Sequence, residues 1–177
     1  FMREWLSLYE SKSGERGIFN RESAKVQAAS NGRRDADHEF GCNPCSEIIL
    51  RPYQFCNLSE VVVRATDNLE TLENKVRLAT ILGTLQATLT DFKYIRKIWK
   101  DNTEEERLLG VSLTGILDNQ LMSGKSALFG MNIKTTLQTL KDKAIETNKH
   151  MSKSLGIPQA AAITCVKPSG TVSQLVD

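Results

Sequence analysis

The sequence predicts an α/β fold. Three observations predict it: short runs rich in β-branched and apolar residues, long stretches with apolar residues every three or four positions, and the alternation of the two types along the chain. No internal repeat or low-complexity tract interrupts this pattern. We therefore expect one α/β unit.

The first third of the chain leads up to a short strand. Residues 1–9 carry apolar side chains at helical spacing and end at a polar turn over 11–17, and residues 21–30 predict a second short helix. A charged, glycine-containing connector over 31–39 follows. We expect the strand to begin after it, with the apolar run Ile48 to Leu50 buried on both faces.

The remaining elements follow from periodicity and capping signals. Residues 58–63 predict a second strand, and one long helix is predicted from a cap at Asp67 to Trp99. A further helix is expected to start at Asn102 or Thr103, because Glu104 to Glu106 would then lie at the positive end of its dipole.

The last third of the chain repeats the alternation. Residues 109–115 fit either a strand or a glycine-bounded loop. A clear helix runs from Asn132 to Leu155 and is ended by Gly156 and Pro158. Residues 160–166 then form a predicted apolar strand that leads into a polar turn.

Composition limits the class of protein. The chain has 177 residues, of which 40% are hydrophobic and 25% charged, as expected for a soluble globular protein with a real core. A net charge of +2, without a basic stripe, gives no indication of nucleic-acid binding. No apolar run is long enough for a membrane span and no signal peptide is visible, so a cytoplasmic location is expected. The ends, Phe1 and Asp177, suggest an internal segment of a longer protein.

The segment from Gly41 to Leu50 is the most informative part of the chain. It sets a thiol, Cys45, between the amide of Asn43 and the carboxylate of Glu47 at alternate positions. If the backbone is extended here, all three side chains project to one side. Cys56 follows eleven residues after Cys45, and a turn over 51–54 would bring the two thiols face to face.

The residues alone leave several interpretations open. A buried structural cysteine is the commonest explanation of such a pattern. Cys42 and Cys45 also form a Cys-x-x-Cys pair, which is typical of redox motifs and of zinc sites. Together with His38 and Cys56 they supply four candidate ligands, so a non-catalytic, zinc-stabilised α/β module is one alternative.

A second motif lies near the end of the chain. Pro168, Ser169, Gly170 and Thr171 follow the last predicted strand. Backbone N–H groups and hydroxyls in such a turn can surround an anion, although most strings of this kind are ordinary turns. Lys167, next to them, would add positive charge or be a solvated lysine.

The string Asn-Pro-Cys-Ser-Glu-Ile-Ile-Leu-Arg-Pro-Tyr-Gln-Phe-Cys-Asn-Leu-Ser-Glu-Val-Val over 43–62 resembles the active-site segment of ribonucleotide reductases. Residues 13–22 and 110–115 resemble other segments of the same family. With proline at position 44, the string most resembles the adenosylcobalamin-dependent class, and within it the monomeric, triphosphate-reducing branch. The oxygen-dependent, two-subunit class remains an alternative.

This resemblance implies a fold and a set of roles. The fold would be a ten-stranded α/β barrel with the cysteine on an internal loop, and residues 1–177 would form part of it. Cys45 would carry a thiyl radical, Glu47 would act as general base and Asn43 would orient the ribose. Cys56 would be one half of a reducing dithiol whose partner lies outside this chain.

The resemblance also implies ligands and partners. Pro168, Ser169, Gly170 and Thr171 would bind the substrate phosphates. The cofactor would be adenosylcobalamin and the electron source a thioredoxin-like or other dithiol reductant, with no metal held by side chains of this chain. Cys42, Cys165 and the two histidines receive no role.

Overall fold

The computed structural model describes residues 1–14, 16–124, 132–170 and 172–176. The helices in these ranges are α1 (Met2–Ser11), α2 (Arg21–Ala29), α3 (Leu69–Gln86), α4 (Lys97–Glu106), α5 (Ile133–Leu155) and α6 (Val172–Leu175). The strands are β1 (Gly41–Cys42), β2 (Ile49–Leu50), β3 (Asn57–Val62) and β4 (Leu109–Thr114). A short 3-10 turn, Ile116–Asp118, follows β4.

Two parallel strands form the frame of the structure. β3 pairs with β4 in register from Asn57 opposite Leu109 to Val62 opposite Thr114. Parallel strands need a crossover connection, and α3 and α4 supply it. Residues 162–165, which precede the polar turn, run parallel to β4 on its other side and are joined to it by one bridge, Val111 to Thr164. We call this segment the third edge.

The hydrophobic core lies on one face of this sheet. Side chains alternate along a strand, and Val61, Leu109 and Val111 all point to the same face. There they pack against buried residues of α3 and α5, including Leu72, Val76, Leu140 and Ala144. The two helices therefore cover one face of the sheet, and a parallel sheet needs cover on its other face as well.

The opposite face of the sheet meets the β1–β2 hairpin. β1 and β2 are antiparallel, with Gly41 opposite Leu50 and Cys42 opposite Ile49. Ile48 reaches down to Gly110 of β4, where an added Cβ would lie 3.2 Å from its Cδ1. The chain between the two strands thus lies over the face that the helices leave uncovered.

The predicted long helix is wrong in its C-terminal half. α3 is capped by Asn68, whose side chain and Thr71 form a capping box, and it ends at Gln86. α4 begins only at Lys97. The apolar spacing from Leu89 to Trp99 therefore does not reflect one continuous helix; Phe92 and Trp99 instead pack against Phe55.

The predicted helix start at Asn102 or Thr103 is also wrong. Both residues lie in the second half of α4, and the acidic run ends that helix. Acidic side chains are unfavourable at the negative end of the helix dipole. Ion pairs offset this cost: Glu106 binds Arg34 and Glu105 binds Arg51.

Other predictions are confirmed. The structure is a partial α/β assembly, α5 begins after its cap Asn132 and ends at Gly156, and β3 lies within one residue of its predicted range. Residues 109–114 are a strand. In the described ranges, no helix is long and apolar enough to cross a membrane.

Candidate active site

Residues 43–48 form the tip of a hairpin, so the predicted extended conformation is wrong. The backbone N–H of Ser46 donates to the carbonyl of Asn43 at 3.0 Å, and Ser46 has a positive φ of 62°. The N–H of Ile48 donates to Oδ1 of Asn43 at 3.1 Å. Asn43 therefore holds the turn closed, and Cys45 lies exposed at its tip with a free thiol.

Glu47 is the acid of this loop, and its carboxyl group is buried. Its side chain is 5% exposed, Oε1 accepts a hydrogen bond from Lys167 Nζ at 3.0 Å, and Oε2 is buried without a partner. Burial alone would raise the pKa of Glu47. Hydrogen bonds from its own backbone, Lys167 and Asn43, with the positive charge of Lys167, lower that pKa below its usual value. Glu47 is therefore a carboxylate with one oxygen available.

Lys167 is fixed from two sides. Its backbone N–H donates to Oγ of Ser112, a buried residue of β4, at 2.9 Å. Its ammonium donates to Glu47, and this hydrogen bond raises the pKa of Lys167. A lysine held in this way joins the polar turn over 168–170 to the hairpin. The sequence offered one signal for it, a charged residue directly after an apolar strand.

Two thiols lie near the Glu47–Lys167 pair. Burial first, and then the charge of Glu47, raises the pKa of Cys56. Burial and the charges of Glu47 and Cys56 raise the pKa of Cys165 to about 11. Both groups are therefore protonated thiols at neutral pH.

Cys56 and Cys165 are nevertheless poorly placed for a disulfide. Cys56 directly precedes β3 and Cys165 lies on the third edge, with β4 between them. Two strand spacings amount to about 9.5 Å. This exceeds the Cα separation of about 7 Å that a disulfide tolerates. Cys165 does not take the place of the dithiol partner expected outside this chain.

The predicted anion-binding turn lies next to this site. Pro168 and Gly170 are exposed, and the buried Oγ of Ser169 has no hydrogen-bond partner. The carbonyl of Ser169 accepts the N–H of Ser173 in α6. Thr171, the fourth predicted residue, lies outside the described residues.

A buried network, which we call the clasp, fastens the hairpin to α4; it consists of Arg34, Gln54 and Glu106. Arg34 donates to both carboxylate oxygens of Glu106 at 2.9 Å and to the carbonyl of Ile49 at 2.8 Å. Gln54 donates to Glu106 at 2.5 Å and accepts the N–H of Arg51 at 2.9 Å. The clasp thus binds the backbone of Ile49 within β2 and that of Arg51 directly after it. No periodicity in the sequence signals it.

The zinc alternative lacks its ligand set. Among the residues that the structure describes, no group of three or more His, Cys, Asp or Glu side chains is placed to hold a metal ion. His38 instead lies near Asp35, and Sγ of Cys42 lies 3.4 Å from Oγ of Ser46. His38, Cys42, Cys45 and Cys56 therefore do not form the site that this alternative requires.

Comparison with known proteins finds several that are similar to this chain. No family model matches the chain. The chain is 29% identical to the adenosylcobalamin-dependent ribonucleoside-triphosphate reductase of Lacticaseibacillus paracasei, over 96% of this chain and 26% of that protein. The reductase of the same name from Euglena gracilis is also 29% identical, over 91% of this chain and 21% of that protein.

A solved structure agrees. The crystal structure of a B12-dependent (class II) ribonucleotide reductase matches with a TM-score of 0.58 and 25% identity, over 76% of this chain and 21% of that one. The chain is similar to the adenosylcobalamin-dependent ribonucleotide reductases. The resemblance predicted from residues 43–62 is therefore confirmed, and the chain spans about a quarter of the length of these curated reductases.

The relationship to these reductases agrees with the geometry of the site. Asn43, Cys56 and Lys167 lie around the carboxylate of Glu47, and Cys45 is two residues from Glu47 in the same loop. Sequence reasoning found Asn43, Cys45, Glu47 and Cys56. It left the role of Lys167 open and did not find the clasp. Both comparisons fall in the adenosylcobalamin-dependent class, which favours it over the two-subunit alternative.

Proposed function

We propose that this chain forms part of the active site of a reductase that converts ribonucleoside triphosphates to 2′-deoxyribonucleotides by a thiyl-radical mechanism. One observation carries the proposal: an exposed thiol, Cys45, lies two residues from a buried carboxylate, Glu47, that has one unpaired oxygen. A radical reaction on a ribose needs these two groups side by side.

Cys45 and Glu47 divide the first step between them. The Cys45 thiyl removes the hydrogen atom at C3′, and Oε2 of Glu47 takes the 3′-hydroxyl proton. Glu47 fits a general base because it is ionised and its second oxygen is already held by Lys167. Asn43 supports both groups, since its Oδ1 closes the turn and its side chain helps to lower the pKa of Glu47.

Cys56 supplies the reducing equivalents with a second thiol from outside this chain. In the net reaction a ribonucleotide and two thiols give a 2′-deoxyribonucleotide, one disulfide and one water. The leaving 2′-hydroxyl needs a proton, and Cys56 holds one because burial and the charge of Glu47 raise its pKa. Cys45 then returns its hydrogen atom to C3′. An external dithiol of the thioredoxin type would reduce the disulfide.

The substrate phosphates would bind at the turn formed by Pro168, Ser169, Gly170 and Thr171. Support comes from the buried, unpartnered Oγ of Ser169 and from the link through Lys167 to Glu47. A phosphate oxygen would satisfy that hydroxyl, which is costly to leave unpaired. The turn would therefore orient the ribose over the hairpin tip.

Adenosylcobalamin is the proposed cofactor, and Cys45 is the residue that fits it. When bound, this cofactor supplies a carbon-centred radical by homolysis of its cobalt–carbon bond. The group that reacts with such a radical must be a reduced and accessible thiol, and Cys45 is free and exposed. The hairpin would hold that thiol at a fixed position, while the surrounding protein excludes water.

The proposed fold of the whole protein is the ten-stranded α/β barrel, with residues 1–177 as one part of its wall. The three parallel edges, covered by α3 and α5 on one face and by the hairpin on the other, agree with this architecture. Completing the barrel would enclose the face that carries Cys56 and Glu60.

Nucleotide reduction by the full-length protein tests this proposal. Purified protein is supplied with a ribonucleoside triphosphate, a dithiol reductant and adenosylcobalamin, and deoxynucleotide is quantified. Product that depends on the cobalamin supports the proposal and its class. Absence of product from folded, nucleotide-binding protein would contradict it.

A further inference from the structure

We propose that Lys167 is the positioning residue of Glu47: it holds Oε1 in an ion pair and leaves Oε2 to accept the proton of a ribose 3′-hydroxyl. The inference rests on the proposed function and assigns a role to a residue outside the predicted catalytic set. The proton step is balanced without any electron transfer. The substrate O–H bond breaks, a new one forms at Oε2, and Lys167 keeps its charge.

The first argument is the geometry of the pair. Lys167 Nζ lies 3.0 Å from Oε1, whereas Oε2 is buried and has no hydrogen-bond partner. A buried carboxylate oxygen without a partner is unfavourable, and a substrate hydroxyl would satisfy it. The lysine therefore determines which oxygen faces the reaction.

The second argument is that Lys167 is itself held in place. Ser112 Oγ accepts its backbone N–H at 2.9 Å, and Ser112 is 1% exposed on β4. The backbone of Lys167 is therefore held by the rigid sheet, and its side chain extends from that fixed point to Glu47. The chain Ser112–Lys167–Glu47 transmits the position of β4 to the hairpin tip.

The third argument concerns charge. A 5% exposed carboxylate would tend to remain protonated without compensation, and a protonated acid cannot act as a base. Lys167 is the cation paired with it among the described residues. The thiols and acids around the pair are Cys45 in the same loop, Cys56 before β3, Cys165 on the third edge and, further along β3, Glu60. Three basic residues, Arg33, Arg34 and Lys141, line the same cavity as Glu47 without an ion pair to it.

The chain offers a matched control for breaking such a pair. Lys75 on α3 donates to Asp67, whose side chain is 7% exposed, and the two lysines are exposed to 35% and 32% respectively. Lys75→Met therefore removes a similar ion pair at a distance from the hairpin. Lys167→Arg preserves the charge of the proposed positioning residue and serves as the conservative variant.

The test follows the Glu47 carboxyl group directly and then through catalysis. Full-length protein labelled with ¹³C-glutamate is titrated by infrared spectroscopy, and the Glu47 band is identified by its loss in Glu47→Gln. Lys167→Met should move this titration to higher pH, because one of the groups that lower the pKa of Glu47 is gone while its backbone hydrogen bond remains. Lys167→Arg should restore it, and Lys75→Met should leave it unchanged.

The catalytic arm measures kcat/KM for nucleotide reduction against pH. In Lys167→Met the acid limb should move to higher pH while the alkaline plateau stays near that of wild type. Glu47→Gln should lose about 10²–10⁴-fold at all pH values. A raised KM with an unshifted limb would assign Lys167 to the phosphates and overturn the inference.

The two arms separate two failures. An unshifted Glu47 titration in Lys167→Met refutes the positioning role even if the wild-type protein is active. A shifted titration in a protein that forms no deoxynucleotide supports the Lys167–Glu47 coupling and refutes the proposed function.

Discussion

Removal of Arg34 should loosen the catalytic hairpin. Arg34 and Glu106 are 3% and 6% exposed, so Arg34→Met leaves a buried carboxylate that, among the described residues, Gln54 alone still hydrogen-bonds. Breaking one side of such a pair costs about 3–5 kcal/mol. The same change removes the hydrogen bond from Arg34 to the carbonyl of Ile49, which anchors β2.

Native-state hydrogen exchange of the full-length protein measures this cost where it arises. Peptides that cover residues 48–54 and 97–108 should exchange about two to four orders of magnitude faster in Arg34→Met, since each factor of ten corresponds to about 1.4 kcal/mol. Lys97→Met on the exposed side of α4 removes a pair that is 84% and 46% exposed, and should change exchange by tenfold at most.

A double variant decides whether the two charges act as one unit. Arg34→Met with Glu106→Met removes both charges, so the combined effect should be well below the sum of the single effects. Additive effects, or single effects under about 1 kcal/mol, would refute the assignment of the clasp as a coupled buried pair.

Two further predictions concern packing and capping. Gly110→Ala should destabilise the structure by about 1–3 kcal/mol and increase exchange in the hairpin, because the added Cβ would lie 2.5 Å from Cδ2 of Leu58. Gly41→Ala in the hairpin itself meets open space and should have little effect; similar losses in both variants would contradict this argument. Asn68→Ala should cost about 1 kcal/mol in the first turn of α3, where Asn68 bonds the Thr71 N–H. Exchange there that stays at the wild-type rate would contradict the cap.

The sequence predicted well the elements whose signals are local. α5 has a cap at Asn132, a continuous apolar stripe and Gly156 at its end, and each signal acts within the helix itself. β3 ends in the β-branched run that begins at Val61, and this run predicted its position. The α/β class followed from the alternation of such elements.

The failed predictions depended on long-range partners. The acidic run at 104–106 indicated a helix start because acidic side chains are unfavourable at a helix C-terminus. Arg34 and Arg51 pair with Glu106 and Glu105 and offset that cost, but both arginines are distant in sequence. The hairpin at 43–48 depends on Asn43 bonding the N–H of Ile48, which competes with an extended strand.

The candidate site shows the same division. Asn43, Cys45, Glu47 and Cys56 were predicted because they form a short, specific string. Lys167 is 120 residues from Glu47, and the two meet because the third edge pairs with β4 and the hairpin lies over β4. The clasp is likewise assembled from three separate segments.

The most direct test of the central claim compares wild-type protein with Cys45→Ser in the nucleotide-reduction assay, with and without adenosylcobalamin. The account predicts deoxynucleotide only from wild type with the cobalamin, while both proteins bind nucleotide equally. Product from Cys45→Ser at a rate comparable with wild type would contradict the account, because a serine hydroxyl cannot replace the Cys45 thiol as the source of the thiyl radical that abstracts the hydrogen atom at C3′.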